Sequence, residues 1–208
     1  VTSHCSGVFF IDDPGGTGKS YLYRALLAKV CSLGFIALAN ASSGIAASLL
    51  PGGRTAHSQF KIPIDIDSGT HCRISKQSAL AHLIKDAVLI VWDEVTMVNK
   101  IMVEALDDLL RDLMDSKVVF GGKVIVFGGD FRQTLPIIVN GTEAEIISAC
   151  IVNSALWPCL EIFHLTENMR ALLDPTYTSF LLSIGDGTTT MDKKKLVRLP
   201  HKICIPYE

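Results

Sequence analysis

The feature that most constrains the fold of this 208-residue chain is an alternation of short apolar segments with segments of helical periodicity. Apolar runs such as 7–12 (GVFFID) and 87–92 (AVLIVW) lack the polar alternation of a strand with one solvated face. Runs of this kind, separated by helices, are typical of a parallel sheet that is covered on both sides. The sequence therefore predicts an α/β fold, with a mostly parallel sheet and helices on both faces.

The same patterns place the individual elements along the chain. Strands are predicted at 7–12, 35–40, 87–92, 121–129 and 161–166, and helices at 19–33, 78–87, 99–114 and about 142–155. Residues 41–60 predict a loop, a short helix and another loop. A small insertion is expected at about 61–80, since 61–75 has no clear period, and the polar stretch after Asp186 predicts a linker or frayed end.

Composition excludes several classes of protein. With 49% hydrophobic residues, the chain can bury one sizeable core, and a net charge of −2 gives no global attraction to nucleic acid or membrane. Its apolar runs are far shorter than the roughly 20 residues of a membrane span. The six cysteines contain no C-x-x-C pair, so they are predicted to be reduced, mostly buried thiols of the cytosol, nucleus or an organelle interior. We expect no membrane contact and no metal cluster.

The segment 11–20, IDDPGGTGKS, is close to the phosphate-loop pattern G-x-x-x-x-G-K-[ST], but Asp13 stands at the position of its first glycine. Glycines here let backbone N–H groups surround phosphate oxygens at the start of a helix. Lys19 would reach the β- and γ-phosphates, and the Ser20 hydroxyl would hold Mg²⁺. The predicted nucleotide-binding residues are Gly15, Gly16, Thr17, Gly18, Lys19 and Ser20. A glycine turn without a ligand is the alternative.

Asp93 and Glu94 follow the buried strand 87–92, and unpaired buried carboxylates are strongly disfavoured. We therefore predict that Asp93 coordinates Mg²⁺ and that Glu94 activates the water that attacks the γ-phosphate. The alternative is a pair of solvated acids at the exit of a strand. Because the carboxyl ends of parallel strands form the ligand-binding edge of such sheets, these acids should face the phosphate loop.

Two further strands end in polar residues that suit phosphate chemistry. The segment VIVFGGDFRQTLP presents Asp130, Arg132 and Gln133 in one loop. Gln133 is predicted to sense the γ-phosphate, and Arg132 to pair with an acid or a phosphate. In LTENMRA, Arg170 is predicted to stabilise the charge that develops in phosphoryl transfer, with a solvated or salt-bridged arginine as the alternative.

Over residues 7–187, these blocks and their order resemble the PIF (petite integration frequency) family of superfamily 1 DNA helicases, particularly the version in plants and Helitron-type transposons. The carrying blocks are FFIDDPGGTGKSYLYRALL, ASSGIAASLLPGGRTAHSQFKIP, LIVWDEVTM, FGGKVIVFGGDFRQTLPII and LTENMR. The resemblance implies a RecA-like P-loop NTPase domain that uses ATP and Mg²⁺ in a 5′-to-3′ DNA helicase. It also implies nuclear, or alternatively mitochondrial, roles in DNA repair, recombination and telomere maintenance.

The resemblance further implies a track for single-stranded DNA along the GIAA and G-x-T-x-HS blocks. The positions that match are Ser43, Gly44, Thr55, His57 and Ser58. Hydroxyls, backbone amides and an imidazole can hold phosphates without distinguishing bases. Without the family pattern, a glycine-rich connection with a helix-capping serine is the simpler interpretation of these residues.

The sequence also departs from the family pattern. Val95 and Thr96 replace the usual Ala-Pro, only six residues precede the first strand, and the chain stops some forty residues after ENMR. We therefore expect a RecA-like motor domain at 1–170 and, at 171–208, the start of the link to a second motor domain that this chain lacks. One domain with half of the site should not translocate. Two alternatives to a helicase motor remain. One is a nucleotide-gated switch or kinase, and the other is a non-catalytic DNA- or protein-binding remnant.

Asp13 is the departure that bears on nucleotide binding. A carboxylate ~6 Å from a phosphate charge, at an effective dielectric of ~20, weakens binding by ~2 to 3 kcal/mol. Turned outward it would have little effect, and aspartate tolerates unusual backbone angles better than most residues. The hypothesis is a recognisable but weakened site, in a fragment or a decaying gene copy.

Overall fold

The computed structural model describes residues 6–64, 69, 71–193 and 196–200. Its strands form one sheet of six, in the order β3-β2-β4-β5-β1-β6, and all the strand pairs are parallel. The strands are β1 (Gly7–Asp12), β2 (Ile36–Ala41), β3 (Arg54–Thr55), β4 (Ala87–Asp93), β5 (Val124–Gly129) and β6 (Glu161–His164). The predicted parallel α/β sheet is confirmed.

Local sequence signals explain where most helices begin. The α-helices of the described residues are α1 (Lys19–Ser32), α2 (Gly44–Ser48), α3 (Ala56–Phe60), α4 (Ala79–Asp86), α5 (Lys100–Leu113), α6 (Glu143–Ala149) and α7 (Pro175–Gly185). In all of these except α1, the side chain of the residue before the helix caps its first turn. Ser78 accepts from Ala81 N, and Thr142 forms a capping box with Glu145. Such caps satisfy backbone N–H groups that have no partner within the helix.

Two buried clusters lie on opposite faces of the sheet. Neighbouring strand residues alternate between them, as the pleat requires: Ile90 and Trp92 pack in the cluster that contains the apolar stripe of α5, whereas Val91 packs in the cluster that contains Tyr23 and Leu27 of α1. Helices therefore cover both faces, as predicted. The packed sheet therefore presents the ends of its strands at a common edge.

The structure differs from the sequence-based prediction at several elements. The two-residue β3 lies where a loop was expected, because Arg54 and Thr55 give no apolar signal and pair only with the end of β2. The helix predicted to 155 ends at Ala149, since Cys150 is extended (φ −65°, ψ 148°) and single 3₁₀ turns follow. Helix α7 was not predicted, and β2 begins and ends one residue later than expected.

The remaining segments show smaller differences. In the described part of the expected insertion, no helix or strand occurs between Phe60 and Ala79, and residues 65–68 and 70 lie outside the described residues. Within the polar stretch after Asp186, Met191 and Val197 form an isolated antiparallel bridge. Residues 201–208 of the expected link lie outside the described residues too. Across the described chain, no helix combines the length and apolarity that a membrane span requires.

The prediction of mostly buried thiols is wrong for the cysteines that the structure describes. Cys150 is buried, Cys72 is half-buried, and Cys31 and Cys159 are exposed on helical turns, all four as free thiols. Their exposure follows from their positions on outward faces, which spacing along the chain does not show. Cys5 and Cys204 lie outside the described residues.

Candidate nucleotide-binding site

The carboxyl ends of four neighbouring strands meet at one edge of the sheet. In the β1–β5 ladder Asp12 lies opposite Gly129, and in the β1–β6 ladder it lies opposite His164. Strand β4 ends beside them at Asp93, since it pairs with β5. The four loops that carry the predicted site residues therefore leave the sheet side by side, as the sequence predicted for a parallel sheet.

The phosphate-loop segment 13–18 joins β1 to α1 and has the backbone of an anion cradle. Gly16 (φ 98°) and Gly18 (φ 95°) adopt left-handed conformations that favour glycine, and α1 begins at Lys19 directly after Gly18. This turn aims backbone N–H groups and the positive end of a 14-residue helix at the same space. The local geometry suits phosphate oxygens.

Lys19 is the centre of a buried cluster of charges. Its Nζ lies 2.9 Å from Asp13 Oδ1, 3.0 Å from Asp93 Oδ1 and 3.0 Å from Glu94 Oε1. The lysine side chain is only 7% exposed, and those of Asp13 and Asp93 are 6% and 5% exposed. The Lys19 ammonium is therefore the shared ion-pair partner of three carboxylates, in a region with little access to solvent.

The pKa directions follow from this crowding. Burial raises the pKa of Asp13 to about 6, although the ammonium of Lys19 opposes the rise. Burial likewise raises the pKa of Asp93, again against the effect of Lys19. Burial by itself lowers the pKa of Lys19, but the three carboxylates outweigh it and hold that pKa above its usual value. The lysine is therefore charged at neutral pH, and the cluster has an excess of acid groups.

Glu94 has an unusual backbone in this cluster. Its φ of 56° and ψ of 39° place a non-glycine residue in the left-handed region, between β4 and a 3₁₀ turn at Val95–Met97. Its N–H donates to Asp93 Oδ1 at 2.9 Å, which locks the two acids together. Strained backbone of this kind is concentrated at functional sites. Here it turns the Glu94 side chain back toward Lys19.

Asp130, at the end of β5, holds the loop that carries Gln133 against the phosphate loop. Its Oδ2 accepts from Gly15 N at 3.2 Å and from Gln133 Nε2 at 2.9 Å, while its Oδ1 accepts from Arg132 N at 3.0 Å. Asp130 is 1% exposed. No role was predicted for Asp130, although a polar residue directly after a buried central strand was the available signal.

Arg132 pairs with acids in this structure, one of the two outcomes that the sequence predicted. Its Nε lies 2.6 Å from Asp186 Oδ1, and its Nη1 lies 3.4 Å from Asp130 Oδ1 and 3.5 Å from Asp12 Oδ1. Asp12 also lies 3.0 Å from His164 Nδ1. Arg132 thus joins the end of α7 to the ends of β1 and β5.

The segment 168–170 lies directly over the phosphate loop. Asn168 Nδ2 donates to Gly15 O at 3.2 Å, Met169 N donates to Gly16 O at 2.9 Å, and Arg170 N donates to Asn168 Oδ1 at 3.0 Å. A Cβ on Gly16 would meet Asn168 Oδ1 at 2.6 Å. Asn168 is a second positioning residue for which no role was predicted, although it lies inside the LTENMR block.

These elements enclose a cavity of about 340 Å³, which is within the size range of small-molecule sites. Its lining includes most of the predicted nucleotide and catalytic residues, namely Gly15, Gly16, Gly18, Lys19, Ser20, Asp93, Glu94, Gln133 and Arg170. The hydroxyl of Thr17 instead donates to Asp13 Oδ2 at 3.3 Å. The cavity therefore joins the ammonium, the serine hydroxyl and the paired acids at one place.

The residues in this cavity fit a nucleotide with a divalent cation. Backbone N–H groups and Lys19 suit phosphate oxygens, and the Ser20 hydroxyl with the Asp93 carboxylate offers the hard oxygen ligands that Mg²⁺ prefers. Among the described residues, no group of three or more His, Cys, Asp or Glu side chains is arranged to hold a metal ion alone. Mg²⁺ in nucleotide sites takes much of its coordination from substrate phosphates and water.

The residues implied in DNA binding lie at the end of β3 and beyond the ends of β2 and β3, at the far end of the same edge. Ser43 and Thr55 cap the short helices α2 and α3, accepting from Ala46 N at 3.1 Å and from Ser58 N at 3.3 Å. Gly44 and Ser58 are exposed, and His57 is half-buried. Burial lowers the pKa of His57, so its imidazole is neutral at pH 7. The capping interpretation holds for Ser43 and Thr55, and it leaves the other three residues without an assigned structural role.

Together the parallel sheet, the glycine cradle and the acids beside Lys19 define a RecA-like P-loop NTPase domain. Residues 1–195 match the sequence description of the PIF1-like helicase family, and the chain belongs to that family.

Individual relatives agree with the family assignment. The chain is 30% identical over 195 residues to the ATP-dependent DNA helicase RRM3 of Saccharomyces cerevisiae, covering 91% of this chain and 26% of the relative. It is 32% identical over 186 residues to the ATP-dependent DNA helicase Pif1 of Bdellovibrio bacteriovorus, covering 87% and 40%. The chain thus spans less than half the length of either relative.

A solved structure shows the same fold. Bacteroides Pif1 helicase in complex with ADP-AlF3 and ssDNA superimposes with a TM-score of 0.75 at 27% identity, over 89% of this chain and 44% of that chain. The predicted RecA-like fold and the family resemblance are confirmed.

Proposed function

We propose that this chain is the first motor domain of an ATP-dependent DNA helicase that moves 5′-to-3′ along single-stranded DNA. The observation that carries the proposal is the shared cavity: Lys19, Ser20, Asp93 and Glu94 line it together. Family membership adds the link to DNA, because the matched relatives are named as ATP-dependent DNA helicases. The motor domain would occupy residues 1–170, and 171–208 would begin the link to a second domain.

Phosphate binding in this proposal begins with a change of partners at Lys19. Its Nζ now contacts three carboxylates at 2.9–3.0 Å, and binding of the β- and γ-phosphates moves it to phosphate oxygens. Backbone N–H groups of Gly16 and Gly18 complete the cradle. Ser20 and Asp93 would hold Mg²⁺, which when bound neutralises phosphate charge.

Glu94 is then free to act on water. Once Lys19 binds phosphate, the Glu94 carboxylate loses its cation and can accept a proton from the attacking water. It is the least buried of the three acids, with 24% of its side chain exposed, so water reaches it. Gln133, fixed by Asp130, would sense the γ-phosphate, and Arg170 would stabilise the charge that develops on it.

Single-stranded DNA would lie beyond the ends of β2 and β3. Exposed Gly44 and Ser58 and the half-buried His57 offer a backbone amide, a hydroxyl and a neutral imidazole to phosphates. Ser43 and Thr55 would act by shaping the two helix starts. By family membership, the complete protein would work in nuclear, or alternatively mitochondrial, DNA repair, recombination and telomere maintenance.

ATP turnover with and without oligo-dT tests this proposal in the 208-residue chain. We expect Mg²⁺-dependent turnover that single-stranded DNA increases by at least twofold, because the same sheet edge carries both sets of residues. A turnover rate that single-stranded DNA does not change would favour a nucleotide-gated switch. Nucleotide binding without turnover under any DNA condition would favour a DNA-binding remnant, the second candidate, which the contact between Asp13 and Lys19 supports.

A further inference from the structure

Asp13 lies where its carboxylate meets the ammonium that phosphate would need. Its Oδ1 is 2.9 Å from Lys19 Nζ, and its Oδ2 accepts from the hydroxyl of Thr17 at 3.3 Å. The residue is 4% exposed and lines the nucleotide cavity. The aspartate side chain therefore points into the site. It does not have the outward orientation in which its charge would have little effect on nucleotide binding.

The backbone around Asp13 holds the side chain in this place. Asp12 is fixed in the β1 ladder opposite Gly129, and Pro14 follows with a restricted backbone. Withdrawal of the carboxylate from Lys19 therefore requires a side-chain rotation that breaks both its ion pair and its bond from Thr17. The contact is built into the loop and does not depend on a flexible segment.

The other two partners of Lys19 have proposed roles in phosphoryl transfer, whereas Asp13 has none. Asp93 is suited to a metal and Glu94 to a water, and both lie across the cavity on β4 and the residue after it. Asp13 comes from the phosphate loop itself. Through Oδ1, its carboxylate gives the ammonium an anionic oxygen partner of the kind that a phosphate group would supply.

We propose that Asp13 is an internal competitor of the nucleotide: its carboxylate occupies the phosphate-binding position on Lys19 and must leave before the β- and γ-phosphates bind. This inference rests on the proposed function of the site, and it adds a residue that sets nucleotide affinity. A bound nucleotide also has to tolerate the displaced charge. At ~6 Å and an effective dielectric of ~20, that charge alone weakens binding by roughly a hundredfold.

The test measures the affinity of a fluorescent ADP, mant-ADP, with Mg²⁺ by titration. Asp13→Asn removes the charge and keeps the size, and Asp13→Gly also restores the usual loop residue. We expect both variants to bind 10- to 100-fold more tightly than the unmodified chain, with Asp13→Asn giving most of the gain. Asp108→Asn is the matched control, since Asp108 is exposed on α5 and does not line the cavity. We expect less than a threefold change in it.

The outcomes separate this inference from the proposed function. If Asp13→Asn binds mant-ADP no better than the unmodified chain, the inference is wrong, even if Asp13→Gly gains affinity, because backbone freedom would then be the cause. Lys19→Arg keeps a cation among the acids but changes its geometry, so it should weaken binding in every background. If no variant binds mant-ADP, or if Lys19→Arg leaves the affinity for mant-ADP unchanged, the proposed nucleotide site is wrong. The inference about Asp13 would then be wrong too.

Discussion

Glu94→Gln is expected to lower ATP turnover by 10²- to 10⁴-fold, the range in which a positioned general base contributes. The glutamine keeps the size of the side chain but cannot accept a proton from the attacking water. Nucleotide affinity should stay equal or increase, because the change removes one of three carboxylates beside Lys19. Turnover by phosphate release and affinity by mant-ADP titration measure the two effects separately.

Glu161→Gln is a suitable control, since Glu161 is exposed at the start of β6 and lies outside the cavity lining. It should leave both turnover and affinity within twofold of the unmodified chain. The assignment of Glu94 would be wrong if Glu94→Gln kept more than a tenth of the turnover. It would also be wrong if turnover and affinity fell together, because that would indicate a damaged binding site.

The second large effect is on folding. Lys19→Met leaves Asp13, Asp93 and Glu94 without their cation, two of them with side chains only 6% and 5% exposed. Removing one partner of a buried ion pair lowers the free energy of unfolding by about 3–5 kcal/mol. Urea denaturation at pH 7.5 measures the loss. We expect Asp13→Asn to recover part of it in the double variant, because fewer unpaired charges remain buried.

The effect of Lys19→Met should also depend on pH. The pKa of Asp13 is about 6 with Lys19 present, above its usual value of 3.8, and loss of the ammonium raises it further. An acid with a raised pKa destabilises the folded state when ionised, so the destabilisation is greatest above pH 6 and shrinks as pH falls toward 4.

Lys29→Met is the matched control for this second prediction. Lys29 is an exposed lysine on the same helix, so its replacement should change the free energy of unfolding by no more than about 0.5 kcal/mol. A Lys19→Met variant as stable as Lys29→Met at pH 7.5 would show that the acid cluster does not depend on its lysine.

The central part of the fold was predictable from sequence because buried parallel strands have a strong signal. β1 and β4, together with α1 and α5, appeared within one residue of their predicted ends, since wholly apolar runs and long amphipathic stripes leave few alternatives. β3 was not predicted, because a two-residue edge strand is specified by its pairing with β2 and not by its own sequence. α7 was missed although its sequence has helix signals: Asp174 caps it, Pro175 begins it, and Tyr177, Phe180, Leu181 and Ile184 recur at helical spacing.

The candidate site, like the fold, was predictable from the sequence only in part. Motif spacing and the expected parallel sheet predicted that Lys19, Ser20, Asp93 and Glu94 would meet, because parallel strands deliver their carboxyl ends to one edge. Sequence could not show whether the Asp13 carboxylate points into the cavity, since that depends on a side-chain rotation and on Thr17. The roles of Asp130 and Asn168 likewise depend on hydrogen bonds to Gly15, more than a hundred residues away in the chain.

A crystal structure of the chain with ADP, aluminium fluoride and Mg²⁺ tests the shared site most directly. We expect the Lys19 Nζ to leave Asp13 Oδ1 and lie about 2.7–2.9 Å from a phosphate or fluoride position, with Ser20 and Asp93 beside the same magnesium ion. A nucleotide bound elsewhere, or Ser20 and Asp93 too far apart to share that ion, would contradict the proposal that these strand ends form one nucleotide site.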